Sequence, residues 1–239
     1  MSLARASSCF VSLLLAGSAN AGTTWWVDIA AAPGGNGTQA APLRSIQSAI
    51  DRSQDGDTVL VAPGVYHERL DYVLRSIRVA STGGAAVTTI RGNRDGSVVR
   101  LKGGQPILEG FTVENGSGNV VPGTWKTRGG GVLFDDTVNG LVIRCVIRGN
   151  YADEGDGVGA LLAQGVVYDS VIEHNGGPGT PGYCQSGDNG GGAYGAGTLW
   201  LSECTIRSNN ASIEGGGAYR ALLDRCIVEG NRAAEGAGV

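Results

Sequence analysis

The fold is decided by a phrase that recurs in the second half of the chain, and its clearest copy reads IRSNNASIEGGGAY at residues 206–219. Related copies read IRGNYADEGDGVGA at residues 147–160 and VEGNRAAEGAGV at residues 228–239, and a degenerate copy begins IEHN at residues 172–175. Successive asparagines of the phrase are 25, 34 and 22 residues apart. Self-similarity at a period of about 20–50 residues is typical of stacked-repeat proteins. The second half is therefore predicted to be a solenoid of short strands.

Aligning the copies predicts which strand residues point into the solenoid, because residues two apart on a strand face the same side. The columns predicted to point inward are Leu108, Val142, Val167, Leu201 and Leu223; Phe111, Cys145, Ser170, Cys204 and Cys226; and Val113, Ile147, Ile172, Ile206 and Val228. An intervening column alternates in charge, which on adjacent strands predicts an outward ladder of paired, solvated side chains. Its members are Glu114, Arg148, Glu173, Arg207 and Glu229.

The cysteines of this alignment are predicted to pack as small apolar residues, mostly unpaired. Cys145 cannot reach Cys204, because the coil of Ser170 lies between them. Cys204 and Cys226 fall on adjacent coils, about 4.8 Å apart, so a disulfide between these two stays open. Cys184 is predicted to lie in a loop.

The composition excludes several classes of protein. Glycine accounts for 42 of 239 residues, which fits many tight turns, and no three-residue period indicates collagen. A hydrophobic content of 41% is enough to build a core and argues against global disorder. The formal net charge of −4 gives no basic surface for nucleic acid.

The chain is predicted to have three parts. Residues 1–21 have a positive start, a short apolar run and an Ala-x-Ala site, which predicts a secretory signal peptide. The apolar run is shorter than the roughly 20 residues of a membrane span, and no later segment comes closer. Residues 22–66 are predicted to form the N-terminal strand and capping helix leading into the first coil, and residues 67–239 to form the coils. The sequence stops inside a repeat, so we expect a truncated C-terminus with further sequence downstream.

The N-terminal stretch carries a resemblance to a known group. It combines Trp26-Val27-Asp28, a predicted amphipathic helix at residues 42–50 and GDTVLVAPGVY at residues 56–66. This stretch resembles the opening region of many secreted right-handed parallel β-helix proteins. The glycine-rich repeat resembles that of the polymorphic outer-membrane proteins. The resemblance implies an all-β, right-handed, single-stranded parallel β-helix of the pectin-lyase-like superfamily, with a short N-terminal capping helix. That fold carries lyases, hydrolases, epimerases and non-catalytic surface proteins, so it leaves the function open.

Catalysis in that superfamily implies clustered aspartates, accompanied by an arginine, a lysine or a second acid. The adjacent acids Asp135 and Asp136 are weak catalytic candidates. Consecutive strand residues face opposite sides, and Asn139-Gly140 predicts a turn, so we interpret both acids mainly as turn residues. No residue is assigned as catalytic.

A metal site has equally weak support in the sequence. Asp153, Glu154 and Asp156 could contact Ca²⁺, but they lack the Asp-x-Asp-x-Asp-Gly pattern and its distal glutamate. We interpret them mainly as solvated turn acids. We predict that the protein has no cofactor, and the alternative is a bound Ca²⁺ ion.

Long insertions fall at one corner of the predicted solenoid, at residues 116–128 and 176–189. Insertions confined to one corner often mark the binding face. The glycan-binding candidates on these insertions are Trp125, Lys126, Arg128, Tyr183 and Asp188. The two aromatic residues either stack on sugar rings or pack their own loops, and the sequence leaves both interpretations open.

The sequence as a whole predicts an exported, non-catalytic β-helix that binds glycans, adheres to surfaces or has a structural role. The expected partner is a polysaccharide or cell-surface glycan, bound without turnover, and the expected location is secreted or at the cell surface. The alternative is a polysaccharide-active enzyme, either a lyase or a glycoside hydrolase.

Overall fold

The computed structural model describes residues 22–135, 139–161, 164–176, 189–196 and 199–239. Three parallel sheets wind around one apolar core, and each turn of the chain adds one strand to each sheet. The predicted right-handed parallel β-helix is confirmed. Within the described ranges, no helix is long and apolar enough to cross a membrane.

The strands are numbered in chain order. One sheet has eight strands, in the order β1 (Thr24–Val27), β2 (Thr58–Val61), β5 (Arg78–Ser81), β8 (Ile107–Glu109), β13 (Asn139–Ile143), β16 (Gln164–Tyr168), β19 (Leu199–Ser202) and β22 (Leu222–Asp224). A second sheet has seven, in the order β3 (Gly64–Tyr66), β6 (Thr88–Arg91), β9 (Thr112–Glu114), β14 (Val146–Arg148), β17 (Val171–Glu173), β20 (Thr205–Arg207) and β23 (Ile227–Glu229). A third has six, in the order β4 (Leu70–Asp71), β7 (Val99–Lys102), β12 (Val132–Asp135), β15 (Val158–Leu161), β18 (Ala193–Tyr194) and β21 (Ala218–Tyr219). An antiparallel hairpin of β10 (Asn119–Val120) and β11 (Thr127–Arg128) projects from one corner.

A short helix, α1 (Ile46–Arg52), covers the N-terminal end of the core. The side chain of Ser45 caps it by accepting the backbone N–H of Ser48 at 3.1 Å. Ile46, Ala49 and Ile50 form its buried face. The predicted helix is thus confirmed, beginning four residues later than the spacing of apolar residues suggested and ending at Arg52.

The inward columns follow the predicted register. Ile147 pairs with Ile172, and Ile172 pairs with Ile206, and all three are fully buried. Val142 pairs with Val167 in the same way on the eight-stranded sheet. Alignment of the repeats was sufficient because each coil places the same side-chain type over its neighbour.

The same asparagine of each copy forms a buried ladder along the solenoid. The side-chain amide of Asn150 donates to Oδ1 of Asn175 at 3.1 Å, Asn175 donates to Asn209 at 3.0 Å, and Asn209 donates to Asn231 at 3.0 Å. The backbone N–H groups of the same residues donate to the same oxygens, so each of these amide oxygens accepts two hydrogen bonds. The left-handed backbone of each copy lies one residue before the asparagine, for example at His174 with φ 53°.

The outward charges also follow the prediction. We call the column Arg91, Glu114, Arg148, Glu173, Arg207 and Glu229 the charge ladder, because these residues lie opposite one another on successive strands. Arg148 Nε donates to Glu114 at 3.1 Å, and Arg207 Nε donates to Glu173 at 2.9 Å. The interpretation of these residues as a paired surface ladder is confirmed.

Among the cysteines in the described ranges, Cys145 and Cys204 are buried free thiols, and Cys226 is a half-buried free thiol. Their predicted inward column is correct, since Phe111 and Ser170 are also buried there. Cys184 lies outside the described residues.

Candidate functional site

The outer face of the six-stranded sheet holds two acids and an arginine on three neighbouring strands. Asp71 on β4 lies directly opposite Arg100 on β7. Asp135 on β12 lies opposite Lys102, two residues beyond Arg100 on the same face. We call Asp71, Arg100 and Asp135 the Arg100 cluster.

The guanidinium of Arg100 is shared between the two carboxylates. Its Nε donates to Asp135 Oδ2 at 2.6 Å and a terminal nitrogen also contacts Asp135, while a second terminal nitrogen lies 3.3 Å from Asp71 Oδ2. Burial lowers the pKa of Arg100, but the hydrogen bond and charge of Asp135, followed by those of Asp71, outweigh it and raise that pKa. The guanidinium is therefore a permanent cation that holds both acids on one surface.

The two acids differ in their access to solvent. The Asp135 side chain is only 12% exposed, whereas that of Asp71 is 41% exposed. The other oxygen of Asp71 accepts the backbone N–H of Val73 at 2.9 Å. Asp135 is thus fixed and partly covered, whereas Asp71 is open to solvent along one side.

The cluster corrects the sequence analysis. Asp135 does not lie in a turn, because it ends strand β12 and packs against Arg100; Asp136 lies outside the described residues. Asp71 and Arg100 were missed. A local signal existed in the alternation Leu70-Asp71-Tyr72 and Val99-Arg100-Leu101, in which a charged residue stands between two buried ones.

A second group of polar residues lies further along the same face. Arg128 passes over Gly159, where an added Cβ would come within 2.6 Å of Arg128 Cγ. Its guanidinium lies 4.5 Å from the centre of the Tyr194 ring, and its Nε donates to Glu154 at 2.9 Å. Glycine at position 159 is thus what allows the arginine to lie flat on the sheet.

Glu154 also accepts a hydrogen bond from Lys126 Nζ at 3.0 Å. Burial raises the pKa of Glu154, but its bonds to Arg128 and Lys126 outweigh burial and lower that pKa. This carboxylate is therefore already neutralised by two cations of this chain.

The three acids considered for Ca²⁺ are engaged within the protein. Asp153 Oδ2 accepts the backbone N–H of Thr127 at 2.6 Å, and Asp156 Oδ1 accepts that of Ala152 at 2.5 Å. Across the described part of the chain, no group of three or more His, Cys, Asp or Glu residues is arranged to hold a metal ion. Asp156 and Glu154 are buried, so they are not the solvated turn acids that we predicted.

The glycan-binding candidates occupy contrasting environments. Trp125 lies between the two strands of the β10–β11 hairpin and is 98% exposed. Its side chain therefore does not pack against its own loop. Lys126 and Arg128 point toward Glu154, between the hairpin and the six-stranded sheet. Tyr183 and Asp188 lie outside the described residues.

Comparisons with known proteins identify the fold. No protein-family model matches the sequence, and no curated protein matches it. The structure is similar to pectin methylesterase PemA from Erwinia chrysanthemi, at 13% identity and a TM-score of 0.53, over 80% of this chain and 56% of that one. It is also similar to a pectin methylesterase in complex with a hexasaccharide, at 12% identity and a TM-score of 0.54, over 83% of this chain and 65% of that one. The chain thus spans less than two thirds of these proteins and has a parallel β-helix fold like theirs.

Proposed function

We propose that this protein is a polysaccharide-active enzyme whose reaction takes place at the Arg100 cluster. The observation that carries the proposal is the sharing of Arg100 by two carboxylates on the outer face of the six-stranded sheet. An aperiodic, partly buried arrangement of acids and a cation is typical of functional sites. The sequence alone favoured a non-catalytic protein because no acid cluster is recognisable in it, and the Arg100 cluster removes that reason.

We assign the two acids different roles. Asp135 is held by two guanidinium nitrogens, which suits a nucleophile or base that must meet the substrate in one orientation. Asp71 is more exposed and has a longer contact with Arg100, which suits transfer of a proton between substrate and solvent. Arg100 is a positioning residue for both carboxylates. Hydrolysis of an ester or a glycosidic bond uses such a division of labour.

The fold neighbours and the charge of the protein support one substrate class. Both neighbours are pectin methylesterases by name, so methyl-esterified pectin is the first substrate to test. The net charge of −4 disfavours a strongly anionic polymer, whereas esterification removes the charge of an acidic sugar. A polysaccharide substrate also agrees with export through the signal peptide predicted at residues 1–21.

The test is turnover of pectin by the purified protein. Methanol release, new reducing ends and unsaturated products would identify an esterase, a hydrolase and a lyase respectively. We expect Asp71→Asn and Asp135→Asn each to lower kcat/KM about 100-fold or more. The matched control is Glu173→Gln, since Glu173 is also an arginine-paired acid with a 13% exposed side chain but lies on another sheet. Turnover that survives both aspartate substitutions would remove the cluster as the site.

A second candidate is glycan binding without turnover, and the exposure of Trp125 favours it. A solvent-exposed aromatic face beside Lys126 suits stacking on a sugar ring. If no polysaccharide is turned over but a glycan array gives binding that Trp125→Ala abolishes, this candidate replaces the first. Binding that is unchanged in Trp125→Ala would exclude the hairpin as its site.

A further inference from the structure

Cys204 and Cys226 occupy equivalent positions on consecutive coils. Each immediately precedes a strand, β20 or β23, and the register of these strands places the two cysteines side by side. Each follows a residue with left-handed backbone, Glu203 at φ 55° and Arg225 at φ 51°. Adjacent parallel strands are about 4.8 Å apart, which lies within the Cα separations that a disulfide spans.

Both sulfur atoms lie against backbone carbonyls of the preceding coil: Cys204 Sγ is 3.4 Å from Val167 O, and Cys226 Sγ is 3.3 Å from Leu201 O. The neighbouring thiol of Cys204 lowers the pKa of Cys226 to about 7. The thiol of Cys226, followed by burial, raises the pKa of Cys204. Cys226 is half-buried, whereas Cys204 is 1% exposed. The accessible thiol of the pair is therefore the one that is more readily a thiolate at neutral pH.

We propose that Cys204 and Cys226 form a redox modification site that closes to a disulfide by exchange with a small-molecule disulfide such as oxidised glutathione. The Cys226 thiolate attacks the oxidant, its S–S bond breaks, and one thiolate leaves while a mixed disulfide forms on Cys226. Cys204 then attacks Cys226 Sγ, and its proton passes to the second thiolate of the oxidant, which leaves as a thiol. Two protein thiols are oxidised and one disulfide is reduced to two thiols.

The bond joins two consecutive coils of the solenoid through residues that immediately precede β20 and β23. Closing the loop between residues 204 and 226 restricts the unfolded chain, so the disulfide stabilises the packing of these two coils. The proposal does not depend on the enzymatic function.

The experiment starts from fully reduced protein and exposes it to oxidised glutathione, followed by mass spectrometry of the intact chain and of its peptides. We expect loss of two hydrogens and a peptide linking Cys204 to Cys226. Cys204→Ser should instead retain a glutathione on Cys226. Serine is tolerated at this position, because Ser170 occupies the same buried column one coil away. The matched control Cys145→Ser should leave the bond unchanged, since Cys145 has Ser170 as its neighbour.

Two results would overturn the proposal. One is a stable mixed disulfide on Cys226 in the protein that retains Cys204. The other is a bond from Cys226 to Cys184 or Cys145 in place of Cys204. A melting temperature that rises by about 5 °C on oxidation, and does not rise in Cys204→Ser, would connect the bond to the stability of these two coils.

Discussion

The charge ladder and the Arg100 cluster lie on the outer faces of two sheets of the same solenoid, and both consist of arginines and acids. In the ladder, all residues occupy one register column and alternate in sign along successive strands. In the cluster, the acids occupy two columns, and one arginine serves both. The ladder repeats with the coil and neutralises itself, which is what a structural surface requires. Among the described residues, the cluster has no equivalent on the next strands of its sheet, where Gly159, Tyr194 and Tyr219 continue the column of Arg100. We therefore assign the function to the cluster.

The assignment of side chains to the inside and the outside of the solenoid can be tested most directly at β17. Ile172 is fully buried, and its neighbour Glu173 faces out. We expect Ile172→Asp to bury an unpaired carboxylate, to cost at least about 4 kcal/mol and to prevent folding. Circular dichroism and thermal unfolding measure this. A folded Ile172→Asp protein with a native melting temperature would show that the register is wrong.

The two arginine environments can be compared by matched substitutions. Arg100→Gln leaves two carboxylates together without their cation, so we expect the free energy of unfolding to decrease by about 1–2 kcal/mol. The decrease is no larger because Asp71 is exposed to solvent. Arg148→Gln removes one cation from Glu114, which keeps its ion pair with Arg91. We therefore expect the free energy of unfolding to decrease by less than about 1 kcal/mol. Turnover should fall only in Arg100→Gln. Equal losses of stability and activity in the two variants would contradict the distinction between the faces.

Much of the ladder, but little of the cluster, could be predicted from the sequence. The ladder residues lie beside a repeated phrase, so aligning Arg148, Glu173 and Arg207 was enough. The cluster joins residues 29 and 35 positions apart in coils that lack the phrase, and β4 has only two residues. Local patterns show that Asp71 and Arg100 each stand between buried residues, but not that they lie opposite each other. Which residues lie opposite each other depends on the lengths of the irregular loops, and these lengths do not follow from a repeat period.

Acidification distinguishes a buried acid from a ladder acid. Burial raises the pKa of Glu154 and Glu114, but their bonds to basic side chains prevail and lower it in the folded state. A lowered folded-state pKa gives stability that is present above the ordinary value of 4.5 and is lost as pH falls through the folded value. We expect the melting temperature to decrease as the pH is lowered beyond about 4.5. In 1 M salt, Glu154→Gln should weaken this pH dependence more than Glu114→Gln does, because salt screens the more exposed ladder. Identical pH profiles in the two variants would contradict this ranking.

The smallest effect is expected within the ladder itself. Glu173→Arg places a third cation between Arg148 and Arg207, on the outside of the solenoid. Both arginines are about half exposed, and exposed pairs contribute only about 0–1 kcal/mol, so the long side chains can separate into water. We therefore expect a melting temperature within a few degrees of the wild type and unchanged turnover at the Arg100 cluster. The measurement is a thermal melt at low and at high salt, and the deficit should shrink at high salt. A decrease in melting temperature as large as that of Ile172→Asp, one residue away, would mean that the ladder holds the coils together and is not merely tolerated on their surface.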